Sequence, residues 1–309
     1  MSLSIRCGLT IGPARSAGSN SGVIPPAVDL SDIDLTAATL DSRLKFSCAS
    51  SRAYYAADGT IQFADPDIWP LEYRDGVAVG RHEPEPQATN LKIGSRAPTA
   101  TLYQLTKTSK AVLSPAGIDE LIEFATAYTS GTPTLFSDVT LSESGPLTVS
   151  VIGRNGTAEM TIRKESTTDS VGFANDFGRS VLVSNYDAEA TRNRYSIYFP
   201  RTAGDVGYIW HIQIETGEIA TSPIITTDTA VTRAAAFASV INPGGAASGI
   251  QIWYTDGAVT TLDFNGANSV DIPLSQRDWG TRYISRITYV KTPIDPLRDI
   301  DLLSETLDS

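Results

Sequence analysis

An all-β fold, a jelly-roll or β-sandwich with one short helix, follows from three features of this 309-residue sequence. Apolar and polar residues alternate over short runs. Asp-Gly, Asn-Gly and Pro separate those runs, and Thr, Ser, Gly and Tyr are plentiful where helix-favouring Lys and Met are scarce. Alternation with period two puts one set of side chains on each face of a strand, and Asp-Gly or Asn-Gly accepts the positive φ of a tight hairpin turn. A chain of this length buries a sizeable core, as one large domain with attachments or as two domains.

The first expected element is a strand at residues 3–11, where Leu3, Ile5, Cys7, Leu9 and Ile11 alternate with Ser4, Arg6, Gly8 and Thr10. Residues 12–26 are rich in Gly, Ser and Pro and read as an extended linker. Residues 1–35 then form either an N-terminal anchoring arm or an edge strand of the main domain. A tethered strand needs a sheet to join, in its own assembly or in a neighbouring protein.

Residues 36–235 carry the main run of strands. The segments around Tyr54 and Ile61 flank Asp58-Gly59, Tyr73 precedes Asp75-Gly76, and residues 147–152 precede Asn155-Gly156. Further strands are expected near residues 158–163, 180–184 and 195–199. The one helix is expected over residues 114–128, with Ser114 as N-cap and Pro115 in the first turn. Its apolar stripe would be Ile118, Leu121, Ile122, Ala125 and Tyr128. A small β unit follows at residues 236–291, with a linker at 242–249 and a hairpin about Asp256-Gly257. Residues 292–309 form an acidic tail.

A net charge of −11 argues against nucleic acid, whose backbone must be met by a dense Lys and Arg surface. Cys7 and Cys48 are far apart, which leaves no disulfide framework and no zinc motif. His82 and His211 are the only histidines, so neither a transition-metal centre nor a cofactor is expected, and an oxygen-ligated calcium stays open with no EF-hand loop behind it. No apolar run approaches the roughly 18 residues of a membrane span. The N-terminus lacks the apolar core of a secretory signal, so the product is expected to stay where it is made or to leave within a larger assembly.

Between Tyr208 and Arg233 a histidine, carboxylates and hydroxyls crowd together. His211, Gln213 and Glu215 share one face of a strand, opposite Tyr208, Trp210, Ile212 and Ile214. A relay from Glu215 through His211 to Ser222 or Thr226 needs contact, yet four residues of strand separate the first two by roughly 13 Å. Paired carboxylates of a glycosidase could come from Glu83, Glu85, Asp176 and Asp187 if these converge. No motif supports either arrangement, and no catalytic residue is assigned.

Two motifs carry a family resemblance. The run Tyr55-Ala-Ala-Asp-Gly-Thr-Ile, then Leu71-Glu-Tyr-Arg-Asp-Gly-Val, then Glu85-Pro-Gln-Ala-Thr-Asn-Leu91 resembles the opening signature of concanavalin-like, carbohydrate-binding-module-type jelly rolls in bacteriophage tail and fibre proteins. Gln213-Ile-Glu-Thr-Gly217, Thr221-Ser-Pro-Ile-Ile-Thr226 and Thr232-Arg233 resemble its closing signature. The resemblance implies a structural role for Glu85, Thr89, Asn90, Gln213, Glu215, Thr232 and Arg233, fixing how the first and last strands of one sandwich meet.

It also implies a virion protein, a tail fibre or spike assembled in the host bacterial cytoplasm. Such a protein would be homotrimeric, would contact other virion proteins through residues 1–26, and would bind host surface glycan without catalysis or membrane insertion. The alternatives are an architectural virion part making only protein contacts, and a polysaccharide-degrading spike subunit. Sugar binding uses exposed aromatic faces with a few planar polar groups. Trp253, Asp256, Trp279 and Tyr54 are the chosen candidates, with Tyr55, Trp69 and Tyr73 beside them.

Overall fold

The computed structural model describes residues 29–96, 101–110, 121–127, 131–165 and 167–292. The expected strand at 3–11, the linker at 12–26 and the tail from 293 lie outside them. The described residues form an all-β protein of small antiparallel sheets with a sandwich-like, jelly-roll-like architecture, and no helix occurs among them.

Two five-stranded sheets make the sandwich. One runs Gly178–Tyr186, Gly145–Asn155, Val206–Thr216, Leu121–Thr126 and Leu105–Lys110 in spatial order. The other runs Ser170–Gly172, Thr161–Lys164, Asn193–Tyr198, Thr134–Val139 and Thr101–Tyr103. Alternate residues Leu147, Val149 and Val151 of the first sheet meet Ile162, Ile197 and Leu135 of the second in one core. That period-two burial is what aligns the two apolar faces.

A second core has different parentage. Ile33–Asp34 pairs with Ile284–Lys291, which pairs with Ala247–Tyr254 and through it with Val259–Asp263. Leu44–Ser47 pairs with Phe237–Ile241, which also pairs with Ser269–Asp271. Ile33, Leu35, Leu44 and Trp69 are thereby buried with Val240, Ile250, Ile252, Ile284 and Ile287. Segments from both ends of the described chain build one unit, and the sandwich lies between them in sequence.

Two hairpins join the halves, Arg52–Tyr55 with Ile61–Ala64 and Glu72–Arg74 with Val77–Gly80. Their turns are at Asp58-Gly59 and Asp75-Gly76, with both glycines at positive φ. A third cluster, Ala53, Ile61, Ile152, Trp210 and Trp279, packs the first hairpin onto the outer face of the sandwich. At Gly80, φ is +130° and an added Cβ would lie 2.1 Å from the Ile284 carbonyl oxygen. The hairpin thus reaches the C-terminal sheet through bare backbone, where Arg81 exchanges backbone hydrogen bonds with Ile284.

Three local expectations are corrected. Of the expected helix, residues 121–127 are described, and Leu121–Thr126 is a strand paired with Leu105–Lys110 and Val206–Thr216. Ile122, Phe124 and Thr126 are buried while Glu123 and Ala125 are less so, a period of two that overrides the capping signal. Asn155-Gly156 makes no hairpin: Gly145–Asn155 and Thr161–Lys164 belong to opposite sheets. Finally, the ladder slips between Ile152 and Gly153 as His211 is followed by Ile209, so Trp210 sits in a bulge. Ile209, Ile212 and Ile214 face the sandwich core, and Trp210 turns outward to Ile152 and Trp279.

Candidate functional site

Outward-facing His211, Gln213 and Glu215 register against Ile152, Ser150 and Thr148. All three are buried, because the backbone of residues 220–226 passes over them. Residues 91–95 run beside the same strand, with the Leu91 N–H donating to the Ile214 carbonyl and the Ile212 N–H to that of Ser95. The polar face is therefore an internal surface, and each group on it needs a partner.

Glu85 is the hub. Its carboxylate accepts from Arg233 at 2.6 Å, Arg52 at 2.8 Å, the Ser222 N–H at 2.6 Å and the Ser222 hydroxyl at 2.7 Å. Burial alone would raise this carboxyl, but the Arg233 and Arg52 guanidinium groups outweigh it and hold it far below the usual carboxylate range. The Asn90 amide donates to the Ile224 carbonyl at 2.8 Å and accepts from the N–H groups of Ile214 and Lys92. Gln213 accepts from the Ile224 N–H at 2.7 Å and donates to the Thr221 and Ser222 carbonyls.

Glu215 accepts from the N–H and hydroxyl of Thr221, and burial pushes its carboxyl up against the opposing pull of Arg179. On the solvent side, the Thr89 and Thr232 hydroxyls meet at 2.8 Å as their strands pair. All seven signature residues thus lie where the two motifs meet. Arg52 and Ser222 complete the shell of Glu85: Ser222 was weighed from sequence only as a nucleophile, and Arg52, three residues before the first hairpin motif, was not singled out.

His211 contributes Nε2 to the Ile224 carbonyl at 3.2 Å, and its Nδ1 is buried without a partner. Burial lowers its pKa to about 3, so the ring is neutral. The Ser222 hydroxyl is engaged by Glu85 and Arg233, and the Thr226 hydroxyl donates to the Lys92 carbonyl. Glu83 is held by Arg282 at 2.6 Å, while Asp176 is exposed. Among the described residues no group of three or more His, Cys, Asp or Glu could hold a metal ion.

A second arrangement lies at the join of the hairpins, the sandwich and the C-terminal unit. Arg74 stacks 4.0 Å from the Tyr55 ring centre, Tyr55 lies 4.5 Å from Trp279 at 8° between planes, and Arg179 lies 5.9 Å from the far ring. Trp279 is 3% exposed and covered by Tyr55 and Arg179, so its ring offers no free face. Around this column opens a cleft of about 500 Å³ whose walls include Tyr73, Asp75 and Phe177.

Tyr54, half-buried, hydrogen-bonds Gln62 across its hairpin. Trp253 is elsewhere, on the outer face of the C-terminal sheet, half-buried with Arg286 4.7 Å from its ring and its Nε1 donating to the Thr288 hydroxyl at 3.2 Å. Asp256, exposed in the adjoining turn, lies 3.9 Å from Arg282. The structure therefore puts Trp253 and Trp279 in separate places.

No family model matches the chain, and no curated protein matches it. Among solved structures, a crystal structure of the enzymatically active domain of tailspike protein 4 from bacteriophage CBA120 matches at 17% identity with a TM-score of 0.28. The match covers 38% of this chain and 18% of that one. No helix among the described residues is long and apolar enough to cross a membrane.

Proposed function

We propose that this chain is a structural component of a tailed bacteriophage virion, of tail-fibre, spike or receptor-binding type, that binds carbohydrate on the host surface without cleaving it. The observation that carries the reading is the network around Glu85. Two motifs that resemble the opening and closing signatures of phage jelly-roll domains supply the residues of one closed, buried junction, as that resemblance implies. On this reading the protein works as a homotrimer, attached to other virion proteins through residues 1–26.

The architectural alternative draws support from one specific feature. The outer face of the sheet at His211, Gln213 and Glu215 is covered by the chain itself and offers no open groove there. Sugar contacts must then be made at the cleft beside Tyr55 or on the sheet face around Trp253.

A glycan array of bacterial surface polysaccharides, read together with an assay for released reducing sugar, tests the proposal. Binding without release is expected. Release makes the chain an enzyme, and absence of both with retained assembly into particles leaves the architectural role.

A further inference from the structure

The cleft beside the Arg74–Tyr55–Trp279–Arg179 column has a charge opposite to that of the protein. Its walls carry two cations, Arg74 and Arg179, and one anion, Asp75, in a chain of net charge −11. Glu72 lies beneath, fully buried, and accepts from the Tyr55 N–H at 3.3 Å. Burial pushes its carboxyl up to about 8, so it is protonated near neutral pH and cancels neither arginine.

The donor balance points the same way. Arg74 uses one nitrogen, Nη2, for the Gly280 carbonyl and the Tyr283 hydroxyl, at 2.6 and 2.7 Å. Arg179 gives Nη1 to the Ala220 carbonyl and Nη2 to the Ser150 hydroxyl. Its Nε, and the Trp279 Nε1 beside it, are buried N–H donors without an acceptor. Both are closed to solvent, so the guanidinium that a ligand in the cleft meets is that of Arg74, half-buried at its wall. Guanidinium groups fixed by stacking are suited to a planar oxyanion.

From this geometry we infer that the cleft binds an anionic sugar, its carboxylate or phosphate held by Arg74 and its ring against Tyr73 and Phe177, with Arg179 adding positive charge from the other end of the column. The inference rests on the carbohydrate-binding reading above and names the class of glycan. Asp75 opposes the ligand's charge from the rim. It occupies a turn position at φ 50°, which Asn adopts equally well.

The test is calorimetric titration of the full chain with an oligogalacturonate, a neutral oligohexose of the same length, and a hexose phosphate. At least one of the anionic ligands is expected to bind about tenfold or more tightly than the neutral one. The tighter anion identifies the acid group, and raised salt weakens its binding.

Asp75→Asn should tighten anion binding about threefold, a gain that misfolding cannot produce. Arg74→Gln should weaken it about tenfold. Equal binding of neutral and anionic sugars overturns the inference, as does anion binding that neither substitution moves. In that second case the glycan-binding reading survives and the site lies elsewhere, whereas silence across the polysaccharide array removes the broader reading itself.

Discussion

Glu85 and Arg233 stand 148 positions apart in sequence and 2.6 Å apart in space, each about as buried as the sandwich core. Arg52 approaches the same carboxylate oxygen at 2.8 Å, so one anion joins the first hairpin to the strand that ends the second motif. Two cations on one buried carboxylate are tolerable because the Pro86 and Glu83 carbonyls accept from Arg233 and Arg52 and Glu215 also acts on Arg233.

Removing Glu85 leaves two buried guanidinium groups without their anion, whereas removing Arg233 leaves Glu85 paired with Arg52. Glu85→Gln is expected to destabilise the protein by about 3–5 kcal/mol in urea titrations, and Arg233→Met by less. The double variant should cost less than the sum of the two. Additive costs would mean that the pair acts through independent packing.

The buried titrating groups give a stability profile with two opposed limbs. His82 and His211, lowered to about 4 and about 3 by burial, stay neutral in the fold. The unfolded chain takes up protons from about pH 6.5 downward, so stability falls as pH drops towards those values. Glu85, held low, adds to the loss below the ordinary carboxylate range.

Glu72, raised to about 8, works in the other direction. The folded state keeps a proton that the unfolded state releases above about 4.5, so its contribution declines between there and pH 8. Glu72→Gln should flatten the alkaline limb of urea midpoints measured from pH 5 to 9. An unchanged limb would show that Glu72 does not set it.

Gly80→Ala is expected to cost about 2 kcal/mol or more, since the new Cβ meets the Ile284 carbonyl and the φ of +130° is strained for any L side chain. Thermal unfolding against the neighbouring control Ala78→Ser, at a less buried position, checks it.

Trp279 and Trp253 should separate cleanly. Trp279→Ala empties a buried stack and is expected to cost about 3–5 kcal/mol, whereas Trp253→Ala on the outer sheet face should cost about 1–2 kcal/mol. Matching losses in denaturant titrations would contradict the difference in their packing.

Much of the architecture was legible from period and turn chemistry. Asp58-Gly59, Asp75-Gly76 and Asp256-Gly257 each lie in the turn of a hairpin, because a tight turn is decided by residues close together in sequence. Asn155-Gly156 carries the same signal and crosses between sheets, since a turn dipeptide reports a bend but not a partner. Leu121–Thr126 shows the same limit from the other side: its capping residues speak of a helix, and only Leu105–Lys110 and Val206–Thr216 decide that it is a strand.

Within the candidate sites, Glu85, Gln213 and Arg233 were legible because their motifs are contiguous. The Arg74–Tyr55–Trp279–Arg179 column was not, because its four members come from four segments spread over more than two hundred residues and no local pattern links them.

The shared core of the outer segments has a consequence for synthesis. Asp32 finds Arg286 254 residues later, a wait of roughly 10–50 s at ribosomal speeds of about 5–20 residues per second. Throughout that interval Ile33 and Leu35 have no strand partner, and Leu44 has none until Phe237–Ile241 is made, while the sandwich can already be complete. Maturation therefore runs from the middle of the polypeptide outward, and a ribosome stalled before Ile284–Lys291 would release a chain with a finished sandwich and a sticky, unsealed leading end.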